Sequence, residues 1–101
     1  MEDVVQLFEK VDQNREAMVD TWKLLVDRDC GSGNKAGVDG VGRDVKDFLE
    51  KCGFQVWFHE YEQAGNMLVA EYGDASKPFN VLTGHMDTVF GDGTAAARPF
   101  T

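Results

Sequence analysis

A histidine and an aspartate stand one residue apart in the chemically most distinctive segment of the chain. His85 and Asp87 lie within residues 80–90 (NVLTGHMDTVF). A neutral imidazole is a good metal ligand, and a ligating histidine commonly donates its other ring N–H to a carboxylate that fixes its tautomer and orientation. If the backbone is extended, the one-residue gap places both side chains on the same side. On spacing alone, a histidine that is simply hydrogen-bonded to a backbone carbonyl is the competing interpretation.

The remaining residues of reactive type are assigned structural roles. His59 lies inside a predicted strand and is interpreted as a surface or sheet-packing residue. Cys30 and Cys52 are too few and too far apart for a disulfide framework or a four-thiolate zinc site. We expect Cys30 to be a loop thiol and Cys52 to pack at a helix end. Three glutamates are interpreted as solvated strand residues, namely Glu60, Glu62 and Glu71.

Helical patterns that precede the histidine occupy the first half of the chain. From residue 2 to about residue 27, apolar residues recur at intervals of three, four and seven, which predicts an amphipathic helical region that breaks near Asn14 and packs its apolar face in a core. Residues 29–37 are rich in glycine and short polar side chains and are predicted to form a loop. Asp39 can cap a second helix, and Gly53 supplies the left-handed residue that ends it.

The pattern then changes to that of strands. Residues 54–62 predict a strand that is covered at least partly on each face, because aromatic residues point both ways. After a turn, residues 66–72 predict a second strand that pairs back as a hairpin. Residues 79–83 predict a short third strand that leads into the histidine, and residues 91–101 are predicted to be a loop. The fold class is therefore α/β, with amino-terminal helical segments followed by the strands of a mixed sheet.

Composition limits the number of domains and the class of partner. The 101 residues, 43% hydrophobic and 28% charged, predict a single globular domain. The formal charge of −8 opposes attraction to phosphate backbones and anionic lipid, so we expect no nucleic-acid partner and no membrane partner. Secretory-signal and membrane-span patterns do not occur in the sequence, which makes the cytoplasm the default compartment.

Residues 80–90 resemble the first metal-binding motif of the zinc-dependent aminoacylase and glutamate carboxypeptidase family, which also includes acetylornithine deacetylase and succinyl-diaminopimelate desuccinylase. Residues 92–94 (DGT) and 98–100 (RPF) look most like the glutamate carboxypeptidase branch. The resemblance also covers earlier segments, namely residues 24–26, 31–33, 37–52, 53–56 and 66–70.

This resemblance implies a hydrolase with a two-zinc centre. His85 matches a ligand of one zinc, and Asp87 matches the acidic residue that orients this histidine and assists catalysis. The implied protein is a metallopeptidase or amidohydrolase that cleaves peptide or N-acyl amino-acid amide bonds within a three-layer catalytic domain. Cobalt or manganese are also compatible with imidazole and carboxylate donors.

One histidine ligand is fewer than the three protein ligands of a typical catalytic zinc. We therefore expect residues 1–101 to be the amino-terminal portion of such a domain, without the lid or dimerisation domain and inactive alone. An open strand edge and an exposed apolar face would favour a homodimer or other self-association. The alternative hypothesis is a non-catalytic α/β binding or structural domain that shares the scaffold.

Overall fold

Two consecutive helices begin the computed structural model, which describes residues 3–101. Helix α1 (Val4–Gln13) and helix α2 (Arg15–Val26) meet at Asn14, so the predicted break is confirmed. The prediction that their apolar face packs in a core is wrong. Neither helix contains a buried residue, and Trp22 is 60% exposed. The periodic apolar pattern was sufficient for helix formation, but no other element in residues 3–101 covers most of the face that it creates.

Helix α3 (Lys35–Lys51) begins four residues earlier than its predicted cap. The side chain of Asn34 caps this helix by accepting a hydrogen bond from Gly37 N at 2.9 Å. The assignment of Asp39 as the cap is therefore wrong, because this residue lies in the second turn. The predicted end is confirmed: Gly53 has a φ of 93°, and its N–H donates to the carbonyl of Glu50 at 3.0 Å.

The two strands form the predicted antiparallel hairpin. Strand β1 (Gln55–His59) pairs with strand β2 (Met67–Glu71), with His59 opposite Met67 next to the turn. One face of β1 packs on α3, where Phe58 lies against Gly42. The opposite face carries Trp57, which is 46% exposed, so this face of β1 is covered in part.

A polar cluster fixes the hairpin to the first half of α3. The carboxylate of Asp39 accepts a hydrogen bond from the backbone N–H of Asn66 at 2.7 Å and pairs with the Lys35 ammonium at 3.0 Å. The same ammonium donates to the Asn66 side-chain oxygen at 2.8 Å and to the carbonyl of Ala64 at 3.0 Å. Asp39 therefore attaches the hairpin to the helix.

Residues 79–83 do not form the predicted third strand. Between residues 3 and 101 the sheet has two antiparallel strands, and the parallel component is a single bridge between Gly31 and Thr88, so the predicted mixed sheet is wrong for this part of the chain. Leu82 is 96% exposed. An alternating sequence alone does not hold a strand without a hydrogen-bonded neighbour. The short helix α4 (Thr94–Ala97) also corrects the loop predicted for residues 91–101.

The buried core is small and centres on a cysteine. Cys30, Val38 and Val41 are the buried hydrophobic residues of the described chain. Cys30 lies in a loop, as predicted, but its thiol is buried in the core. Cys52 is exposed and does not pack as predicted. Three further residues pack against the core, namely Leu25, Val45 and Met86.

In residues 3–101, no helix combines the length and apolar character that crossing a membrane requires.

The hairpin turn lies so close to α3 that one added methyl group is expected to destabilise the fold. A Cβ atom on Gly65 would lie 2.3 Å from Val38 Cγ1. We expect Gly65→Ala to lower the free energy of unfolding by about 1–3 kcal/mol, because the overpacked turn must move away from the helix. Urea denaturation measures this change. Gly33→Ala is the matched control, since no atom lies within 4 Å of its added Cβ; equal effects of the two substitutions would contradict the close packing.

Candidate functional site

The candidate site forms where the loop between α2 and α3 meets the segment that carries the histidine. The backbone N–H of Thr88 donates to the carbonyl of Cys30 at 2.8 Å, and the N–H of Ser32 donates to the carbonyl of Thr88 at 3.0 Å. These two hydrogen bonds form the parallel bridge at Gly31. They bring Ser32 next to Asp87, although 55 positions separate these residues in the sequence.

Three side chains form the candidate site, which we call the Ser32–Asp87–His85 site. The Ser32 hydroxyl donates to Oδ2 of Asp87 at 2.5 Å. The other carboxylate oxygen, Oδ1, lies 3.3 Å from Nδ1 of His85. The same ring nitrogen lies 2.9 Å from the backbone carbonyl oxygen of Asp87. The predicted juxtaposition of the histidine and the aspartate is thus present in the structure, without a preceding strand.

The geometry assigns a tautomer to His85. A carbonyl oxygen can only accept a hydrogen bond, so the 2.9 Å contact requires that Nδ1 carries the hydrogen. The neutral ring then presents the Nε2 lone pair on a side chain that is 83% exposed. This arrangement satisfies both interpretations of the sequence, because the histidine is bonded to a carbonyl and also retains a nitrogen that can bind a metal.

Electrostatics keep Asp87 ionised. The hydrogen bond from the Ser32 hydroxyl is the main cause that lowers the pKa of the Asp87 carboxyl, and the neighbouring His85 acts in the same direction. An ionised carboxylate accepts hydrogen bonds through both oxygens. Asp87 can therefore accept from Ser32 with one oxygen while the other faces the imidazole.

Asp29 attaches the following segment to the same loop. Its two carboxylate oxygens accept hydrogen bonds from the backbone N–H groups of Gly93, at 2.9 Å, and Ala95, at 3.0 Å. Asn34 adds a hydrogen bond of 3.0 Å from its side-chain amide to Asp92 Oδ1. Together these contacts fix the chain that leaves the site to the start of α3.

A second carboxylate holds the carboxyl-terminal residues. Asp27 Oδ1 accepts the backbone N–H of Phe100 at 2.8 Å, and the Phe100 ring meets Trp22 edge to face with a centroid distance of 5.0 Å. The hydrogen bond from the N–H of Phe100 is the main cause that lowers the pKa of the Asp27 carboxyl. For Asp29, the hydrogen bonds from Gly93 and then Ala95 lower the pKa in the same way.

An open groove runs beside the Ser32–Asp87–His85 site. Its volume is about 570 Å³, and it is lined by residues 31–35 and 88–92. This volume lies within the range of small-molecule sites. Ser32 lines the groove and contacts Asp87, so the serine links the groove to the candidate site.

The candidate site supplies part of the ligand set that a metal ion needs. Within the described chain, no three His, Cys, Asp or Glu side chains come together as a metal-binding group. His85 fits the role of one ligand and Asp87 that of its orienting carboxylate, but a complete zinc site needs further donors. His59 lies in β1 with its ring 5.4 Å from that of Tyr61, as expected of a sheet residue.

Ser32 is the site residue that the sequence did not identify. Its segment, residues 31–33, has the composition of a turn and is one in the structure. No local signal distinguishes this serine, because its partner Asp87 comes from a remote segment.

Comparison with known proteins gives no relative: no protein-family model, curated protein or solved structure matches the chain.

The carboxylate contacts predict how stability depends on pH. Because folding lowers the pKa of Asp27 and Asp29, their contribution is present above the unfolded value of about 3.9 and is lost as the pH falls through the lower folded values. We expect the melting temperature to change little above about pH 5 and to fall as the pH drops further. Asp29→Asn should lower it at the higher pH and make the subsequent fall smaller.

Calorimetric melting across this pH range measures the effect. Asp20→Asn is the matched control, because it removes the same charge from the exposed surface of α2. If both variants reproduce the pH profile of the unsubstituted chain, the backbone N–H groups of Gly93 and Ala95 do not depend on the Asp29 carboxylate.

Proposed function

We propose that this chain is the amino-terminal part of the catalytic domain of a zinc-dependent metallopeptidase or amidohydrolase. Its substrates would be small peptides or N-acyl amino acids, cleaved at an amide bond, with the closest likeness to glutamate carboxypeptidases. The observation that carries this proposal is the pairing of His85 Nδ1 with Asp87, which leaves Nε2 on an exposed ring. The resemblance of residues 80–90 to a zinc-binding motif supports the same assignment.

The residues of this chain would perform a defined part of the reaction. His85 would bind one metal through Nε2, and Asp87 would hold the ring in the Nδ1–H tautomer. Zinc, when bound with its full set of ligands, lowers the pKa of a water and polarises the amide carbonyl. The groove that Ser32 lines would offer space for a substrate near Asp87, which the serine contacts.

A complete metal site would need further ligands from outside residues 3–101. A catalytic zinc typically has three protein ligands and an open position, and the site here contributes one imidazole and one carboxylate. A three-layer domain would supply the missing donors and the strand partner that residues 79–83 lack. We therefore expect no hydrolysis of N-acyl or peptidyl glutamates by this chain alone.

Metal titration tests the role of His85. Paramagnetic Co²⁺ is the probe, because it occupies zinc sites and broadens the NMR signals of nearby nuclei. We expect the ring signals of His85 to broaden at lower Co²⁺ concentration than those of His59, since within residues 3–101 a carboxylate faces the ring of His85 and none is paired with that of His59. The His85→Ala variant should lose this first phase, and excess Zn²⁺ should reverse it.

His59 is the matched control within the same molecule, because it is also an exposed histidine and lies in β1. Simultaneous broadening of both rings would show that His85 has no preference for metal. That outcome would favour the alternative function, a non-catalytic α/β binding or structural domain in which His85 is a surface residue.

Self-association forms a second part of the proposal. Residues 79–83 expose backbone groups without a strand partner, and Leu82 and Val89 are 96% and 94% exposed. Unpaired backbone with exposed apolar side chains is a template for pairing with another chain. The chain would therefore form a homodimer or larger assembly through this segment.

Sedimentation velocity over a range of concentrations tests this association. We expect Leu82→Lys to shift the chain toward the monomer, because it removes an exposed apolar side chain from the associating segment. Thr83→Lys is the matched control, since it adds the same charge at the adjacent exposed position, where no apolar side chain is lost. A monomer at every concentration would contradict self-association.

A further inference from the structure

We infer that Ser32 is a positioning residue that orients Asp87 toward His85. This inference rests on the proposed function, in which the histidine binds a metal. Ser32 would act through the carboxylate and not on a substrate or a metal.

The hydrogen-bond geometry gives the serine a single direction of donation. Its hydroxyl lies 2.5 Å from Asp87 Oδ2 and 3.2 Å from the carbonyl oxygen of Thr88. A hydroxyl has one hydrogen, and a short bond to an ionised acceptor is roughly twice as strong as one to a neutral acceptor. The hydrogen therefore points to Asp87. The Thr88 carbonyl already accepts the backbone N–H of Ser32.

The backbone gives the serine a fixed position from which to donate. The bonds from Thr88 N to Cys30 O and from Ser32 N to Thr88 O hold residues 30–32 against residue 88. Cys30 is 5% exposed and belongs to the buried core, so one end of this loop segment is rigidly attached. The Asp87 side chain is 41% exposed and would otherwise sample several rotamers in water.

The consequence concerns the tautomer of His85. With Oδ2 held by the serine, Oδ1 faces Nδ1 of the ring at 3.3 Å and stabilises a hydrogen there together with the Asp87 carbonyl. Loss of the hydroxyl frees the carboxylate to rotate, and the ring then loses one of its two acceptors. The fraction of His85 with its lone pair on Nε2, the form required of an outward-facing ligand, should fall.

Nitrogen NMR of the imidazole rings in the metal-free chain measures this fraction directly. The spectra are recorded at about pH 8.5, where an imidazole in a model peptide is neutral. We expect Ser32→Ala to lower the ratio of Nδ1–H to Nε2–H tautomer at His85 by about threefold, the effect of weakening one hydrogen bond. Ser32→Thr, which retains the hydroxyl at an exposed position, should restore the ratio.

Two controls separate orientation from a structural effect. His59 should keep its tautomer ratio in every variant, and the backbone amide signals of residue 32 and Thr88 should report whether the loop contact is intact. If Ser32→Ala disturbs these amides, Ser32→Cys provides the comparison, because a thiol keeps the shape and donates weakly.

The results distinguish this inference from the proposed function. An unchanged His85 ratio in a variant with intact amide signals would overturn the role of Ser32, whatever the Co²⁺ titration shows. A lowered ratio restored by threonine would support it. Equal broadening of both histidines by Co²⁺ in the unsubstituted chain would instead overturn the metal site and leave the orientation of Asp87 by Ser32 standing.

Discussion

Hydrogen bonds between the loop of residues 27–34 and the segment of residues 87–100 are the constraint on which the candidate site depends. The backbone bridge at Thr88 aligns the two segments, and the Asp29 carboxylate holds the chain beyond it through two N–H groups. A small core supports this alignment, because Cys30 of the loop is buried in it and Met86, next to Asp87, packs against it. Directional polar contacts can set positions closely, but charge and solvent affect them more than they affect a large core.

Helix α3 connects this polar contact to the rest of the fold. Its first turn follows directly from the loop, where Asn34 both caps the helix and bonds Asp92. Its next turn carries Asp39, which together with Lys35 holds the hairpin turn. The first two turns of α3 therefore hold both the candidate site and the hairpin. A substitution in these turns would be expected to affect both.

The exposed surfaces agree with a site that needs further protein. The imidazole of His85 is accessible, its orienting carboxylate is in place, and the adjacent groove is open. Apolar side chains on α1, on α2 and around Leu82 lie uncovered. In a catalytic domain of the proposed kind, these surfaces would contact the elements that contribute the missing metal ligands. In a binding domain, the same surfaces would contact a partner.

Local patterns in the sequence determined the three longer helices, the break at Asn14, the stop at Gly53 and the hairpin, because each depends on residues a few positions apart. The proximity of His85 and Asp87 was predictable for the same reason. Only the tertiary structure decided that Cys30 is buried, that Asp39 bonds Asn66 instead of capping a helix, that residues 79–83 remain unpaired, and that Ser32 reaches Asp87. Each of these outcomes depends on a partner, or the lack of one, in a distant segment, and a hydrogen bond or buried contact across such a separation leaves no periodicity in the sequence that could reveal it.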